Sequence, residues 1–303
     1  MSSKTGIAIV AASSAPIDES VIQRGLQALE QHGFAVHNYY QPGQKYQRFG
    51  ATDAQRVAQI HAAADHPEVQ IVMALRGGYG LSRLLPQLDF RRLADSGKRF
   101  VGHSDFTAFQ LALLAQTNTV SFAGPMLCDD FTREETSAYT IQNFIDCLHT
   151  DRHAVSFAAA GNPDVSVAGT LWGSNLAMLT HLVGTPFFPE VDGGILFLED
   201  VAEHPYRVER MLLQLHYAGV LQRQRAIVLG DFSGYQLGPH DNGYNFEEMI
   251  RYLRETIPVP ILTGLPFGHI KDKATLAFGS SAQLDCADGK AEIRMSGWTP
   301  LAA

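Results

Sequence analysis

Cysteine is scarce in this chain: three among 303 residues, Cys128, Cys147 and Cys286. They are odd in number, far apart, and form no Cys-x-x-Cys pair, which excludes a disulfide framework and a zinc ribbon and leaves small, semi-buried thiols. Runs of Lys and Arg are missing too. The formal net charge is -8, and an acidic surface repels phosphate backbones, so no nucleic-acid partner is expected. No apolar stretch approaches the ~20 residues that cross a bilayer, so no membrane association is expected either. Met1 to Ala15 is the one segment that imitates an export signal, with Lys4 ahead of the apolar run Gly6 to Ala12. That run is short, and Ser13-Ser14-Ala15-Pro16 reads as a turn before a helix. It is taken as the first strand, and the protein as unexported and cytoplasmic. Internal repeats and low-complexity tracts are also lacking.

What is present is the balance of a globular protein, 46% hydrophobic and 18% charged residues, with room for one large domain or two of ordinary size. The first half alternates strands and helices. Ile7 to Ala12 is an apolar run fit for a strand buried on both faces. A helix follows, with Asp18 as its expected N-cap and Gly33 as its end. Phe34 to His37, Val69 to Leu75, and a strand ending at Phe100 and Val101 come next. Between and after them lie a helix capped by Thr52 and another over Phe106 to Leu114. This rhythm predicts a mostly parallel sheet covered by helices. Residues 151–165, polar and carrying Gly161, Asn162 and Pro163, are expected to be a linker between domains at 1–150 and 166–303. In the second part Gly194 to Leu198 and Ala226 to Leu229 read as strands. Val208 to Tyr217 and Phe246 to Leu253 read as amphipathic helices, and the chain turns strand-rich after Pro266, through Thr275 to Phe278 and Ala291 to Met295.

Three regions place glycine, a nucleophile or a base where a strand ends, which is where open α/β sheets bind ligands. The first is Arg99-Phe-Val-Gly-His-Ser-Asp-Phe-Thr-Ala108. It looks like a nucleophile elbow, with Ser104 at a strand-to-helix turn where backbone N–H groups stabilise an oxyanion. Phe106 stands where the usual elbow has its last glycine, and a serine before an apolar helix equally serves as an N-cap. The second is Ala74-Leu-Arg-Gly-Gly-Tyr-Gly-Leu81. Its glycines let backbone approach a ligand, so the Gly78 and Asp105 N–H groups are candidates for the two arms of an oxyanion hole. Arg76 is a candidate bidentate partner for a substrate carboxylate, or a surface ion pair. The spacing does not match a nucleotide fingerprint, and Ala11-Ala-Ser-Ser14 at the first turn argues against a dinucleotide-binding oxidoreductase. The third region is a pair: Ile195-Leu-Phe-Leu-Glu-Asp200 ends a strand on two carboxylates, and Leu265-Pro-Phe-Gly-His-Ile270 puts His269 in a glycine-containing turn. A serine hydroxyl needs a base, and an imidazole serves best when a carboxylate fixes its tautomer. The residue types for such a triad occur in the order Ser, Glu or Asp, His. Placement at a strand end raises His269 above His103, His204, His216 and His240. No site for a metal is evident, and no cofactor is expected.

Taken together, several segments resemble the LD-carboxypeptidases of peptidase family S66 over nearly the whole chain. They are Leu75-Arg-Gly-Gly-Tyr-Gly80, Val101-Gly-His-Ser-Asp-Phe-Thr-Ala108, Phe122-Ala-Gly-Pro-Met126, Gly169-Thr-Leu-Trp-Gly-Ser-Asn-Leu-Ala-Met-Leu179, Leu198-Glu-Asp200, His204 to Leu213 and Gly264-Leu-Pro-Phe-Gly-His269. The resemblance implies a triad of Ser104, Glu199 and His269, choosing Glu199 over Asp200. It also implies an oxyanion hole from the backbone at Asp105 and in the Gly-Gly-Tyr-Gly loop. It further implies a flavodoxin-like N-terminal domain, similar to class I glutamine amidotransferases, and a smaller strand-rich C-terminal α/β domain. A muropeptide tetrapeptide substrate losing its terminal D-Ala, and a homodimer, follow from the same resemblance. Ser174 departs from the family pattern, which commonly has a second glycine in Trp-Gly-Gly-Asn. Trp172, in the same segment, is a candidate substrate contact alongside Arg76. Two other readings share the scaffold: a self-immunity peptidase that cleaves a peptide-nucleotide antibiotic, and a non-catalytic muropeptide-binding protein.

Overall fold

The computed structural model describes residues 4–301. The strands are β1 (Thr5–Val10), β2 (Phe34–Asn38), β3 (Val69–Ala74), β4 (Arg99–Gly102), β5 (Ser121–Ala123), β6 (Arg152–Ala158), β7 (Val165–Asn175), β8 (Ile195–Glu199), β9 (Ala226–Leu229), β10 (Ile261–Thr263), β11 (Leu276–Phe278), β12 (Ser281–Ala287) and β13 (Lys290–Ser296). The helices are α1 (Ile22–Gln31), α2 (Asp53–Asp65), α3 (Phe90–Asp95), α4 (Thr107–Thr117), α5 (Ala138–His149), α6 (Leu176–Leu182), α7 (Pro205–Tyr217) and α8 (Phe246–Thr256).

Two sheets organise the chain. The first runs β11-β5-β4-β3-β1-β2, parallel throughout except for β11, which pairs antiparallel with β5. Its inner strands carry continuous apolar runs because helices cover both faces, as in Ile7 to Val10 and Ile71 to Ala74. The second runs β10-β9-β8-β7-β12-β13-β6. Its β10 to β7 half is parallel, and its β7 to β6 half is antiparallel. The 11-residue strand β7 belongs to both halves, and its burial shows it. Val165 to Thr170 are half-buried or exposed, whereas Leu171 to Asn175 are buried where β8 and the helices enclose them.

Three local expectations are revised. The first helix begins at Ile22, and its N-cap Val21 makes no side-chain cap. Asp18 instead accepts from the Ser20 amide and hydroxyl, which makes a turn ahead of the helix. Thr52 does cap α2, with a reciprocal Gln55 bond. Residues 152–158, inside the expected linker, form β6 and close the edge of the second sheet by pairing with β13. Arg152, Ala154, Ser156 and Ala158 are exposed and alternate with more buried residues, as suits an edge strand with one face in water. Finally, β11 leaves the second sheet and joins the first, so the chain that carries His269 crosses between sheets. The halves share one continuous core. Helix α4 is apolar on nearly every side because β7 and α6 pack on the flank that a surface helix would expose.

Candidate active site

Ser104 follows β4 at the head of a short 3-10 turn, Ser104–Phe106, that runs into α4. Its φ is 60°, in the left-handed region that non-glycine residues avoid. Such strain persists only where the surroundings impose it, and here it turns the side chain out at the carboxyl end of the sheet. The glycine loop after β3 packs directly against it. A methyl group placed on Gly77 would lie 2.6 Å from Ser104 Oγ and 3.4 Å from the Asp105 amide nitrogen. Gly77 is therefore required by contact, and it brings the Gly78 peptide beside the elbow.

Both loops are held by side-chain hydrogen bonds, those of Ser13, Ser14 and Arg56 unforeseen in the sequence. Asp105 is buried, and its Oδ2 accepts from Ser13 Oγ (2.6 Å) and from the Leu81 amide (2.9 Å), tying the elbow to the far end of the glycine loop. Burial pushes its carboxyl above the ordinary range, against these hydrogen bonds. Ser14 Oγ accepts from the Tyr79 amide at 3.1 Å. The fully buried Arg56 donates to the Ala12 carbonyl (2.6 Å) and the Gly80 carbonyl (3.1 Å). Arg76, half-buried, donates to the Ala15 carbonyl at 2.9 Å.

On the other half, β8 ends on Glu199, which is fully buried. Its Oε2 lies 2.7 Å from His269 Nδ1, and its Oε1 accepts from Asn175 Nδ2 at 3.1 Å. Gly268 makes this approach possible. Its φ is 139°, and a methyl group there would lie 3.3 Å from Glu199 Oε2. Burial pulls the His269 imidazole towards neutrality, but the hydrogen bond and charge of Glu199 outweigh it, so its pKa stands above the ordinary histidine value. Asp200 turns away from the imidazole and accepts from the Ala177 and Val201 amides and from Asn175 Nδ2. Burial, then the neighbouring Glu199 charge, raises its carboxyl to about 6.

The structure thus closes one leg of the expected triad. His269 and Glu199 are hydrogen-bonded, whereas Ser104 Oγ makes no hydrogen bond to His269 among the described residues. The two sides meet through His103, the residue before Ser104, whose ring stands edge-on to His269 with centroids 5.1 Å apart. His103 is buried with Nδ1 2.8 Å from the Gly124 carbonyl. Burial first, then Lys273 and His269, hold it well below the ordinary histidine pKa, so it is a neutral wall of the site.

Trp172 is the expectation that fails. It is fully buried, and its indole N–H donates to Gln224 Oε1 at 2.9 Å. An enclosed indole has no access to a cleft, so it packs the core. Asn175, three positions on, is what that segment brings to the site. The signal was available, because an Asn directly before an apolar helix reads as an N-cap, and its Oδ1 does accept from the Met178 amide. Ser174, where the family commonly has glycine, has φ 75° and is buried with its Oγ 3.0 Å from Thr107 Oγ1. That bond ties the β7 turn to the helix behind the elbow. A separate trio, His37, His66 and Glu68, brings metal-type donor atoms within 4.8 Å of one another at the β2 edge of the first sheet. His66 Nδ1 already accepts from the Glu68 amide.

Comparison with known proteins finds matches over both halves of the chain. Residues 7–124 match the family model described as LD-carboxypeptidase N-terminal domain, and residues 168–284 the one described as LD-carboxypeptidase C-terminal domain. The crystal structure of muramoyltetrapeptide carboxypeptidase from Oxalobacter formigenes is 49% identical, superposes with a TM-score of 0.94, and covers 98% of this chain and 100% of that one. The murein tetrapeptide carboxypeptidase of Pseudomonas aeruginosa is 30% identical over 92% of each chain. The microcin C7 self-immunity protein MccF of Escherichia coli is 24% identical over 86% of this chain and 84% of that protein.

Proposed function

Since the chain belongs to the LD-carboxypeptidase family, peptidase S66, and is a serine-type carboxypeptidase, we propose that it removes the terminal D-Ala from muropeptide tetrapeptides through Ser104, His269 and Glu199. The observation that carries the assignment of residues is the buried Glu199–His269 pair, 2.7 Å apart, facing the half whose strained elbow presents Ser104.

In this reading the substrate is L-Ala-γ-D-Glu-meso-diaminopimelate-D-Ala, and the scissile bond joins diaminopimelate to D-Ala. His269 keeps its proton on Nδ1, facing Glu199, and accepts the Ser104 proton on Nε2. Ser104 Oγ attacks the diaminopimelate carbonyl, and the Asp105 and Gly78 N–H groups receive the oxyanion, each donor contributing on the order of 3 kcal/mol. The imidazolium, stabilised by Glu199, protonates the departing D-Ala nitrogen as the C–N bond breaks. Water, deprotonated by His269, then attacks the acyl-serine and frees the tripeptide. The raised His269 value is what a buried carboxylate partner produces, and it places the acid limb of activity above the ordinary histidine value of ~6.5. Arg76 is the candidate for the substrate's terminal carboxylate. It lies on the glycine loop and is not fully buried.

Such peptides arise during peptidoglycan recycling, and we place the reaction in the cytoplasm, carried out by a homodimer. Among the described residues no helix is long and apolar enough to cross a membrane. The related self-immunity reading, cleavage of a peptide-nucleotide antibiotic, shares the triad. The 49% identity to a muramoyltetrapeptide carboxypeptidase, against 24% to the self-immunity protein, favours the wall peptide. Mass spectrometry after incubation with free tetrapeptide, sugar-linked tetrapeptide and an aminoacyl-nucleotide conjugate tests this directly. D-Ala release that disappears in Ser104→Ala supports it. Turnover that persists in that variant removes the serine mechanism. Labelling of Ser104 by a serine-reactive phosphonate speaks against a merely binding role.

A further inference from the structure

Lys273 and Asp130 form an ion pair with both side chains almost wholly buried, Nζ 2.6 Å from Oδ1. The proposed reaction does not use it. Buried ion pairs seldom stabilise more than apolar residues of the same volume, so a reason other than stability is needed for this one. Its position in the chain supplies one. Lys273 lies four residues beyond His269, on the crossover that leaves the second sheet for β11. Asp130 lies on the bulged turn after β5, in the half that carries Ser104, and its Oδ2 accepts from the Met126 amide at 2.9 Å.

The neighbours of Lys273 are fastened to the same half. Ser137 Oγ donates to Asp272 (2.6 Å), and Thr140 Oγ1 donates to the Lys271 carbonyl (2.8 Å) and accepts from the Lys273 amide (2.9 Å). The Ala274 amide returns to the Pro266 carbonyl at 2.7 Å, closing the loop that holds His269. Three consecutive residues thus moor the imidazole-bearing loop to the nucleophile half, with the ion pair as the buried member.

We propose that Lys273 and Asp130 are positioning residues for His269: the pair seats the imidazole loop against the nucleophile half, and the lysine charge opposes that of the Glu199 carboxylate. This rests on the reading of His269 as the base. The charges that act on His269 are those of Glu199 and Asp200 at the end of β8 and of Lys273, and the neutral His103 ring stands edge-on to it beside the elbow. The carboxylates favour the imidazolium, which is useless as a base, and Lys273 opposes them.

The test compares Lys273→Met, Lys273→Arg and the double variant Asp130→Leu/Lys273→Met with the wild type. It uses pH profiles of D-Ala release, NMR titration of the His269 ring without substrate, and thermal melts. Expected for Lys273→Met is a loss in kcat of roughly tenfold to a hundredfold with KM within about threefold, since a small misplacement of a catalytic group is that costly. Its acid limb and its His269 titration both move to higher pH, because an opposing positive charge is gone. Lys273→Arg returns both towards the wild type. The double variant folds, leaves no buried charge unpaired, and still shows the raised titration and reduced kcat. A double variant with wild-type kcat and an unmoved His269 titration overturns the proposal. A wild type that releases no D-Ala, while Lys273→Met still shifts the His269 titration, refutes the substrate reading and leaves this inference standing.

Discussion

Replacing Glu199 by glutamine changes one atom at the pair on which the assignment rests. Asn175 sets the consequence. Its Oδ1 is committed to capping α6, so its Nδ2 must donate towards Glu199 Oε1 and Asp200 Oδ1. A glutamine at 199 satisfies that donor with its carbonyl oxygen and therefore points its NH2 at His269 Nδ1. Two donors then face each other, Nδ1 must become the acceptor, and the proton moves to Nε2, where the ring can no longer deprotonate Ser104. Loss of the correct tautomer in serine-histidine-carboxylate sites costs on the order of 10⁴ in kcat, about 5.4 kcal/mol. An escape exists: Asn175 can flip so that the glutamine presents oxygen to His269. The flip gives up the α6 cap, about 1 kcal/mol, and a hydrogen bond to Asp200, about 1.5 kcal/mol, which together allow only about one molecule in seventy the competent arrangement. Glu199→Gln should therefore lower kcat by between about 10² and 10⁴, with KM little changed. Its residual acid limb should move to lower pH, because the group that raises the His269 pKa has become neutral. The same shift sets the sign for stability. The raised folded pKa means that the pair stabilises the fold fully below the unfolded histidine value of ~6.5, and that this contribution fades as pH rises through the folded value. The wild-type advantage over the variant in chemical unfolding should therefore be largest at acid pH. D-Ala release by a coupled assay and urea melts across pH read both. A loss of less than about tenfold in kcat, or an Nδ1-protonated His269 in the variant's NMR spectrum, would refute the reasoning.

Ser104→Gly should be inactive yet more stable than wild type by about 1 kcal/mol in urea melts, because glycine relieves the left-handed backbone at the elbow; a destabilised variant would mean that the strain is not there. Gly77→Ala should retain its fold while kcat drops by more than about a hundredfold, since the new methyl group collides with Ser104 Oγ and displaces the elbow; near-wild-type turnover would show that the loop is free to move away. Trp172→Phe should cost about 1–3 kcal/mol in stability by stranding Gln224 Oε1 in the core, with KM unchanged; a selective rise in KM would return Trp172 to the substrate site.

Much of the fold is legible in the residues because it is local. Apolar runs such as Ile71 to Ala74 are strands wherever they lie, and Thr52 followed by Gln55 caps a helix with atoms three residues apart. Residues 152–158 escape that logic. Only the partner β13 makes them a strand, and that partner lies more than 130 positions away. Ser104, Glu199 and His269 could be nominated because elbows, strand ends and glycine turns are short-range patterns, and the family resemblance chose Glu199 from its neighbour Asp200. Trp172 illustrates the limit. Its motif is local, but whether an indole faces a cleft or Gln224 is decided by what packs above it.

The sequence by itself thus determined the strand and helix segments, the elbow at Ser104 and the kinds of groups available for catalysis, since each depends on residues within a turn or two of one another. The tertiary structure alone decided that β11 returns to the first sheet and that Asn175 takes one oxygen of Glu199 while His269 takes the other. It alone decided that Lys273 seats the His269 loop against Asp130. These are contacts between residues 24 to 157 positions apart, counted from Asn175–Glu199 to Ser121–Phe278. They form only when burial of the shared core draws distant segments together and leaves each polar group to find its partner there.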